Sequence, residues 1–168
     1  LFERLAKVRT KVEVASEFRY RKPYLNKNSL FIVISQSGET ADTLEALRIA
    51  KEAGLKTLAI CNVDNSSIVR LADNTLLTRA GIEKGVASTK AFATQIIVLW
   101  MLVLQMASAK GSISKKELDH EIKTLLHIPQ ILNIDNSLQE KLHRLSKHYL
   151  HGHGFFFIGR DIFYPLAL

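Results

Sequence analysis

The chain has 168 residues and a formal net charge of +7, with 47% hydrophobic and 23% charged residues. This composition is typical of a folded globular protein with one substantial core, and it excludes disordered, collagen-like and disulfide-rich classes. The single cysteine, Cys61, cannot form an internal disulfide, which favours a reducing compartment and a cytoplasmic location.

The positive charge does not predict a nucleic-acid partner. One tight basic cluster, within residues 19–22, has aromatic neighbours, but the other basic residues are spread out and often lie near acidic ones. The longest apolar stretch, Ile96–Leu104, is too short to span a bilayer and predicts a buried helix or one at a subunit contact. Residues 1–4 are charged and amphipathic rather than a secretory signal, so we expect no membrane partner.

The first two thirds of the chain alternate between strand and helix patterns. Strands that alternate with helices at short spacing predict βαβ units and a parallel sheet, and nearly continuous apolar strands predict a sheet buried on both faces. Gly54 is placed to cap the helix before it. In chain order the predicted elements are helical spacing over residues 1–8, strand Val12–Ala15, strand Leu30–Ile34, helix Thr43–Ala53, strand Thr57–Cys61, a short helix from Ser66 or Ser67, strand Asn74–Thr78 and helix Phe92–Ala107.

The pattern changes beyond Gly111. A charged amphipathic helix is predicted over Ser112–Gln130, bent or ended by Pro129, and a second over Asn136–Leu150. Phe155–Ile158 then predicts a buried strand, which indicates the start of a second α/β domain. The leucines predicted to face inward from the second helix are Leu138, Leu142 and Leu145.

The most informative segment is Ser35–Thr40, Ser-Gln-Ser-Gly-Glu-Thr, which we call the hydroxyl turn. It joins the carboxyl end of an apolar strand to the start of a helix. Ligands of open parallel sheets bind at this edge, where helix N–H groups and the helix dipole favour an anion. The density of hydroxyl groups favours a phosphate site over a simple helix cap, and the pattern matches neither a Walker loop nor a dinucleotide fingerprint.

A second candidate is the loop Ala80–Lys90, which contains two glycines and ends near Ser88 and Thr89. These two hydroxyl residues suit a cap for the long helix that follows. The loop is also placed to close over a ligand held by the hydroxyl turn, because it follows a strand of the same sheet. The sequence leaves both interpretations open.

The remaining candidates predict no site. His148, His151 and His153 match metal-ligand spacing only loosely and have no carboxylate or cysteine among them, so no metal is expected. Cys61 has no neighbouring base to activate it as a nucleophile, and a small buried core residue is the better interpretation.

Five blocks occur in the order and at the spacing of a known family. The chain resembles the isomerase half of the glutamine–fructose-6-phosphate aminotransferases, which is built from two sugar-isomerase (SIS) domains. The second block alone indicates a SIS domain, and the fourth narrows the resemblance to these enzymes. The blocks are residues 15–21 (ASEFRYR), 34–44 (ISQSGETADTL), 58–63 (LAICNV), 85–92 (GVASTKAF) and 159–160 (GR).

The resemblance implies an α/β fold with a three-layer αβα parallel sheet of the flavodoxin-like SIS type. Residues 1–113 would form the first SIS domain, 114–144 a helical connector and 145–168 the start of a second SIS domain. It further implies a sugar-phosphate site in which the second block holds the phosphate and the fourth contacts the sugar. The implied residues are Ser35, Gln36, Ser37 and Thr40 for the phosphate, and Val86, through its backbone, and Ser88 for the sugar.

The resemblance also implies an activity and partners. Enzymes of this family make glucosamine 6-phosphate from fructose 6-phosphate and ammonia released from glutamine, without a metal or organic cofactor. A homodimer through the SIS domains and a glutaminase domain in the full-length protein are expected. The family's catalytic carboxylate, lysines and histidine would lie beyond Leu168, so this chain is expected to bind a sugar phosphate and to be inactive alone.

Two other functions remain open from the sequence. A non-catalytic SIS module that binds phosphosugars in a regulator would have a DNA-binding domain beside it. A dimerising scaffold is suggested by the apolar stretch Ile96–Leu104.

Overall fold

The computed structural model describes residues 1–85 and 88–161. The chain divides into two units, Leu1–Leu125 and Leu126–Leu168, and each is described by itself. The predicted domain limits at 113 and 144 stay a prediction. The elements are α1 (Ala15–Phe18), β1 (Leu30–Ser35), α2 (Ala41–Glu52), β2 (Lys56–Cys61), α3 (Ser67–Leu71), β3 (Asn74–Leu77), α4 (Lys90–Ala109), α5 (Lys115–Ile131), which crosses from the first unit into the second, and α6 (Asn136–His148).

A three-stranded parallel sheet in the order β1-β2-β3 forms the centre of the first unit. Ser35, the last residue of β1, lies opposite Cys61, the last of β2, and Cys61 lies opposite Leu77, the last of β3. The predicted α/β fold with a parallel sheet is confirmed. Because the three strands end in register, the segments that follow them start at one edge of the sheet.

The central strand β2 is the most deeply buried, because residues 57–61 are all buried and side chains on both faces are covered. On one face Val33 and Ala59 pack with Leu47 of α2 and Ile68 of α3. Helix α4 also contacts β2. The edge strand β1 is less covered, and its Ile34 is 42% exposed.

Helix α2 ends as the sequence predicts. Gly54 adopts φ +78°, a left-handed conformation that favours glycine. The N–H groups of Gly54 and Leu55 donate to the carbonyls of Lys51 and Ala50, at 2.9 and 3.0 Å. This pair of bonds is the Schellman arrangement, which satisfies carbonyls at the helix end and directs the chain into β2.

Helix α4 is longer than predicted and reaches twenty residues, Lys90–Ala109. Its buried Val103 and Ala107 pack against Ala6 and neighbouring apolar residues of the N-terminal segment. By length and composition alone α4 would also suffice to cross a membrane, with a mean hydropathy of 1.7. Only 22% of the apolar part of α4 is buried, and Ile96 and Met101 are 41% and 56% exposed, so the predicted burial of Ile96–Leu104 is partial and is greatest where Val103 packs on the N-terminal segment.

Two predictions for the N-terminal segment are wrong. Residues 1–8 form hydrogen-bonded turns rather than a helix, although Leu5 and Val8 still pack against α4 as their spacing suggests. No strand forms over Val12–Ala15, where Val12 is 88% exposed and helix α1 begins at Ala15. A β-branched pattern becomes a strand only beside a partner strand, and none of the three described strands pairs with this segment.

The described part of the second unit also differs from the predictions. The leucines of α6 expected to face inward are 45–51% exposed. Phe155–Ile158 is not a strand, and its Phe156 is fully exposed. Both patterns need a neighbouring surface to bury them, and residues 126–161 do not supply one. Helix α5 continues for two residues past Pro129, which lies in its last turn.

We expect Asp73→Asn to destabilise the fold at pH 7. The Asp73 carboxylate accepts bonds from Lys51 Nζ (2.7 Å), Thr57 N–H (2.8 Å) and the Thr57 hydroxyl (2.9 Å), so it joins α2, β2 and the start of β3. These partners, Lys51 first, lower the Asp73 pKa from 3.8 to about 2. A carboxylate whose pKa is lower in the folded state than in the unfolded state stabilises the fold fully at pH values above its unfolded pKa. This stabilisation is lost as the pH falls through the folded pKa of about 2.

Urea unfolding between pH 7 and pH 2 checks this prediction. The stability difference between wild type and Asp73→Asn should be constant down to about pH 5 and then shrink as the pH falls towards about 2. The exposed Asp119→Asn on α5 serves as the matched control and should match wild type throughout. A difference that does not depend on pH would contradict the role assigned to the Asp73 charge.

Candidate functional site

The hydroxyl turn begins at the carboxyl edge of the sheet and leads into α2. The buried Ser35 hydroxyl accepts a hydrogen bond from Gly38 N–H at 2.9 Å, and the half-buried Ser37 hydroxyl accepts one from Glu39 N–H at 3.2 Å. A hydroxyl that accepts from the backbone still carries a proton to donate. The two serines therefore fix the turn, and each keeps a hydroxyl proton to donate to an anion. Ser35 is the more buried of the two, with 6% of its surface exposed.

Thr40 stands at the N-cap position of α2, yet its side chain makes no capping bond. The first N–H groups of a helix have no intrahelical acceptor, and serine or threonine at this position usually supplies one. Here the Thr40 hydroxyl is exposed. The cap interpretation of the hydroxyl turn therefore fails at Thr40, and the helix start is open to an external anion.

Two acidic residues adjoin this helix start, and both are engaged elsewhere. Glu39 Oε1 accepts from Ser67 N–H at 2.7 Å, and the Ser67 hydroxyl and N–H lower the Glu39 pKa. Asp42 Oδ1 lies 2.6 Å from Arg19 Nη1. These partners offset negative charge that would otherwise repel an anion at the N-terminus of α2.

Gly38 allows the hydroxyl turn to pack closely against Ser66 and against Cys61 at the end of β2. Its φ is +71°, and a Cβ there would lie 2.0 Å from Ser66 Oγ and 2.9 Å from Cys61 Sγ. Its carbonyl accepts from Ile68 N–H at 3.0 Å, which joins the turn to α3. Cys61 is fully buried under this contact, which confirms its interpretation as a core residue.

Asn62, which was not predicted as a site residue, lies between the two candidate loops. Its backbone N–H donates to the carbonyl of Gln36, whose side chain is half-buried, at 3.3 Å. Its side chain bonds the start of the loop that leaves β3. The rule that singled out Ser35, a polar residue directly after a parallel strand, applies equally to Asn62 and would have found it.

The loop between β3 and α4, residues 78–89, holds the second part of the predicted site. Thr89 is the N-cap residue of α4 but makes no side-chain cap bond, so the predicted capping role of its hydroxyl is wrong. Glu83 takes that role: its Oε2 accepts from Ala91 N–H at 3.2 Å and from the Ser88 hydroxyl at 3.5 Å. Ser88 is exposed, and the predicted contact residue Val86 lies outside the described residues.

The bonds of Glu83 explain its acidity. Ala91 N–H lowers the Glu83 pKa most, and the N–H groups of Thr89 and Gly85 and the positive charge of Lys90 add to the effect. The seven-residue separation between Glu83 and Lys90 matches no capping-box spacing, so no local sequence signal identifies this cap. Over residues 1–85 and 88–161 no group of three or more histidine, cysteine or acidic residues is arranged to hold a metal ion.

Comparisons with known proteins agree with this architecture. The SIS domain family matches residues 1–105. The chain is 69% identical over its full length to a glutamine–fructose-6-phosphate aminotransferase (isomerizing) of Campylobacter jejuni and 55% identical to that of Helicobacter pylori. It spans only 27% and 28% of the lengths of these relatives.

Solved structures show the same relationship. The C-terminal domain of glucosamine-fructose-6-phosphate aminotransferase from Francisella tularensis matches with a TM-score of 0.92 and 41% identity, over 99% of this chain and 47% of that one. A putative phosphosugar isomerase from Clostridium difficile matches 76% of this chain and 34% of its own, with a TM-score of 0.60 and 30% identity. The chain belongs to the SIS domain family.

Proposed function

We propose that this chain is the sugar-phosphate-binding part of the isomerase region of a glutamine–fructose-6-phosphate aminotransferase. The observation that carries the proposal is the uncapped start of α2, where Thr40 makes no capping bond and Ser35 and Ser37 keep hydroxyl protons to donate. A phosphate group would complete this helix start with charge-assisted hydrogen bonds, each stronger than a neutral one.

In this proposal the residues divide the ligand between them. The phosphate is bound by Ser37, Thr40 and the first N–H groups of α2. Ser35 and Gln36 hold the turn and complete the contacts with the phosphate. Ser88 contacts the sugar from the 78–89 loop, together with the Val86 backbone. The two loops follow β1 and β3, the strands on either side of β2, and all three strands end at the same edge of the sheet, which supports one shared site.

The names of the relatives support a proposal for the activity of the whole protein. Both curated relatives bear the name of an aminotransferase that acts on fructose 6-phosphate and glutamine, and the Clostridium difficile structure is titled a putative phosphosugar isomerase. We propose the same reaction, with glucosamine 6-phosphate as product, and no catalytic role for residues of this chain. A glutaminase domain, a homodimer through SIS domains, a cytoplasmic location and the absence of a cofactor belong to the same proposal.

Calorimetric titration of the complete protein tests the ligand class. Fructose 6-phosphate and glucosamine 6-phosphate should bind, and unphosphorylated fructose should bind at least about a hundredfold more weakly, because it lacks the charged group that the helix start accepts. Glutamine-dependent formation of glucosamine 6-phosphate should accompany binding. Equal affinity for fructose and its phosphate would contradict the proposal, and binding without amination would favour a phosphosugar sensor.

A further inference from the structure

Asn62 makes bonds to both halves of the candidate site. Its backbone N–H donates to Gln36 of the hydroxyl turn. Its side-chain Oδ1 accepts from Ala80 N–H at 2.7 Å and from the Thr78 hydroxyl at 3.1 Å, and its Nδ2 donates to the Gly81 carbonyl at 2.8 Å. One half-buried side chain thus fixes three residues at the start of the 78–89 loop.

The orientation of this amide is unambiguous. A backbone N–H can only donate, so the atom facing Ala80 must be the oxygen, and a carbonyl can only accept, so the atom facing Gly81 must be the amide nitrogen. Few side chains of this length carry both an oxygen that accepts two hydrogen bonds and a nitrogen that donates one. Asn62 is therefore matched to the loop it holds rather than interchangeable with another polar residue.

The far end of the same loop is fixed by Glu83. Its carboxylate accepts from Ala91 N–H in the first turn of α4 and from the hydroxyl of Ser88, which lies just before α4. Ala91 N–H is also the largest cause of the lowered Glu83 pKa, which fits a carboxylate held ionised at the start of α4. Residues 78–81 are thereby anchored to the end of β2, and Glu83 and Ser88 are anchored to the start of α4.

We propose that Asn62 and Glu83 are positioning residues that hold residues 78–81 and Ser88 of the 78–89 loop in place for the sugar before the ligand arrives. The proposal rests on the proposed function, because it assigns the loop to the sugar and the hydroxyl turn to the phosphate. Holding these residues in place before binding removes part of the ordering cost of binding. The benefit falls on ligands that reach the loop and not on inorganic phosphate, which reaches only the turn.

Asn62→Ala and Glu83→Ala in the complete protein test this assignment. Calorimetry should show about tenfold weaker binding of fructose 6-phosphate and less than about twofold change for inorganic phosphate. The Asn62 backbone bond to Gln36 persists in the alanine variant, so the hydroxyl turn should stay intact. Glu83→Gln keeps an acceptor oxygen and should recover part of the lost affinity.

Amide hydrogen exchange without ligand gives a second, independent readout. Peptides containing Ala80 in Asn62→Ala, and Ala91 in Glu83→Ala, should exchange about tenfold faster, with β1 and α2 unchanged. The exposed Asn28→Ala is the matched control and should change neither readout. Equal losses for both ligands, or unchanged exchange in the loop, would overturn the proposal. If the wild type binds no fructose 6-phosphate, the proposed function fails, and the exchange data alone decide whether these residues anchor the loop.

Discussion

Gly38→Ala should lower the free energy of unfolding by about 3 kcal/mol and abolish measurable binding of fructose 6-phosphate. An alanine at φ +71° is strained, and its Cβ would lie 2.0 Å from Ser66 Oγ and 2.5 Å from Ser66 Cβ. No rotation of the Ser66 side chain moves its Cβ away, so the turn or α3 must shift. A shift of the turn displaces the Ser35 and Ser37 hydroxyls from the start of α2, and a shift of α3 strains the bond from Ile68 N–H to the Gly38 carbonyl that holds the turn.

Gly54→Ala is the matched control for the cost of placing alanine in a left-handed backbone conformation. Its φ is +78°, but no atom lies within 4 Å of an added Cβ, so it should cost only about 1 kcal/mol and leave binding unchanged. A double variant, Gly38→Ala with Ser66→Gly, should recover part of the stability. Urea unfolding of the three variants separates the cost of the backbone strain from the cost of the clash with Ser66. Equal destabilisation by Gly38→Ala and Gly54→Ala would show that the clash with Ser66 contributes nothing to the loss of stability.

The double variant Ser37→Ala/Thr40→Ala should bind fructose 6-phosphate about a hundredfold more weakly than wild type. A hydrogen bond to a charged group contributes about 1.5–3 kcal/mol, so each lost hydroxyl accounts for about tenfold. Stability should change little, because the Thr40 hydroxyl makes no capping bond and Ser37 accepts only one, from Glu39 N–H. Calorimetric titration beside an unfolding curve separates the two effects.

The control for this variant removes two hydroxyls of the same kind outside the turn. Ser108→Ala/Thr124→Ala, on α4 and α5, should leave both affinity and stability close to wild type. If the affinity of Ser37→Ala/Thr40→Ala stays within about twofold of wild type, the turn does not hold the phosphate.

The sheet and its helices were predictable because their patterns are local. The apolar runs that became β1 and β2 ended within one residue of prediction, and glycine at the end of α2 marked its cap. Val12–Ala15 and Phe155–Ile158 have equally strong strand patterns, yet neither forms one. Whether such a run becomes a strand depends on a partner, which local sequence does not encode.

The candidate site was predictable where it is contiguous in sequence. The hydroxyl turn stood out because six residues combine a strand end, hydroxyl groups and a helix start. Asn62 was accessible to the same rule, but its importance arises from bonds to residues sixteen to nineteen positions away. Glu83 gave no signal, since it caps α4 across a loop rather than from an adjacent position.

A crystal structure of the complete protein with fructose 6-phosphate tests the central claim most directly. We predict that the phosphate lies within hydrogen-bond distance of the Ser37 and Thr40 hydroxyls and of N–H groups in the first turn of α2, with Ser88 facing the sugar. A phosphate bound at another place on the chain, with the hydroxyl turn empty, would contradict the account.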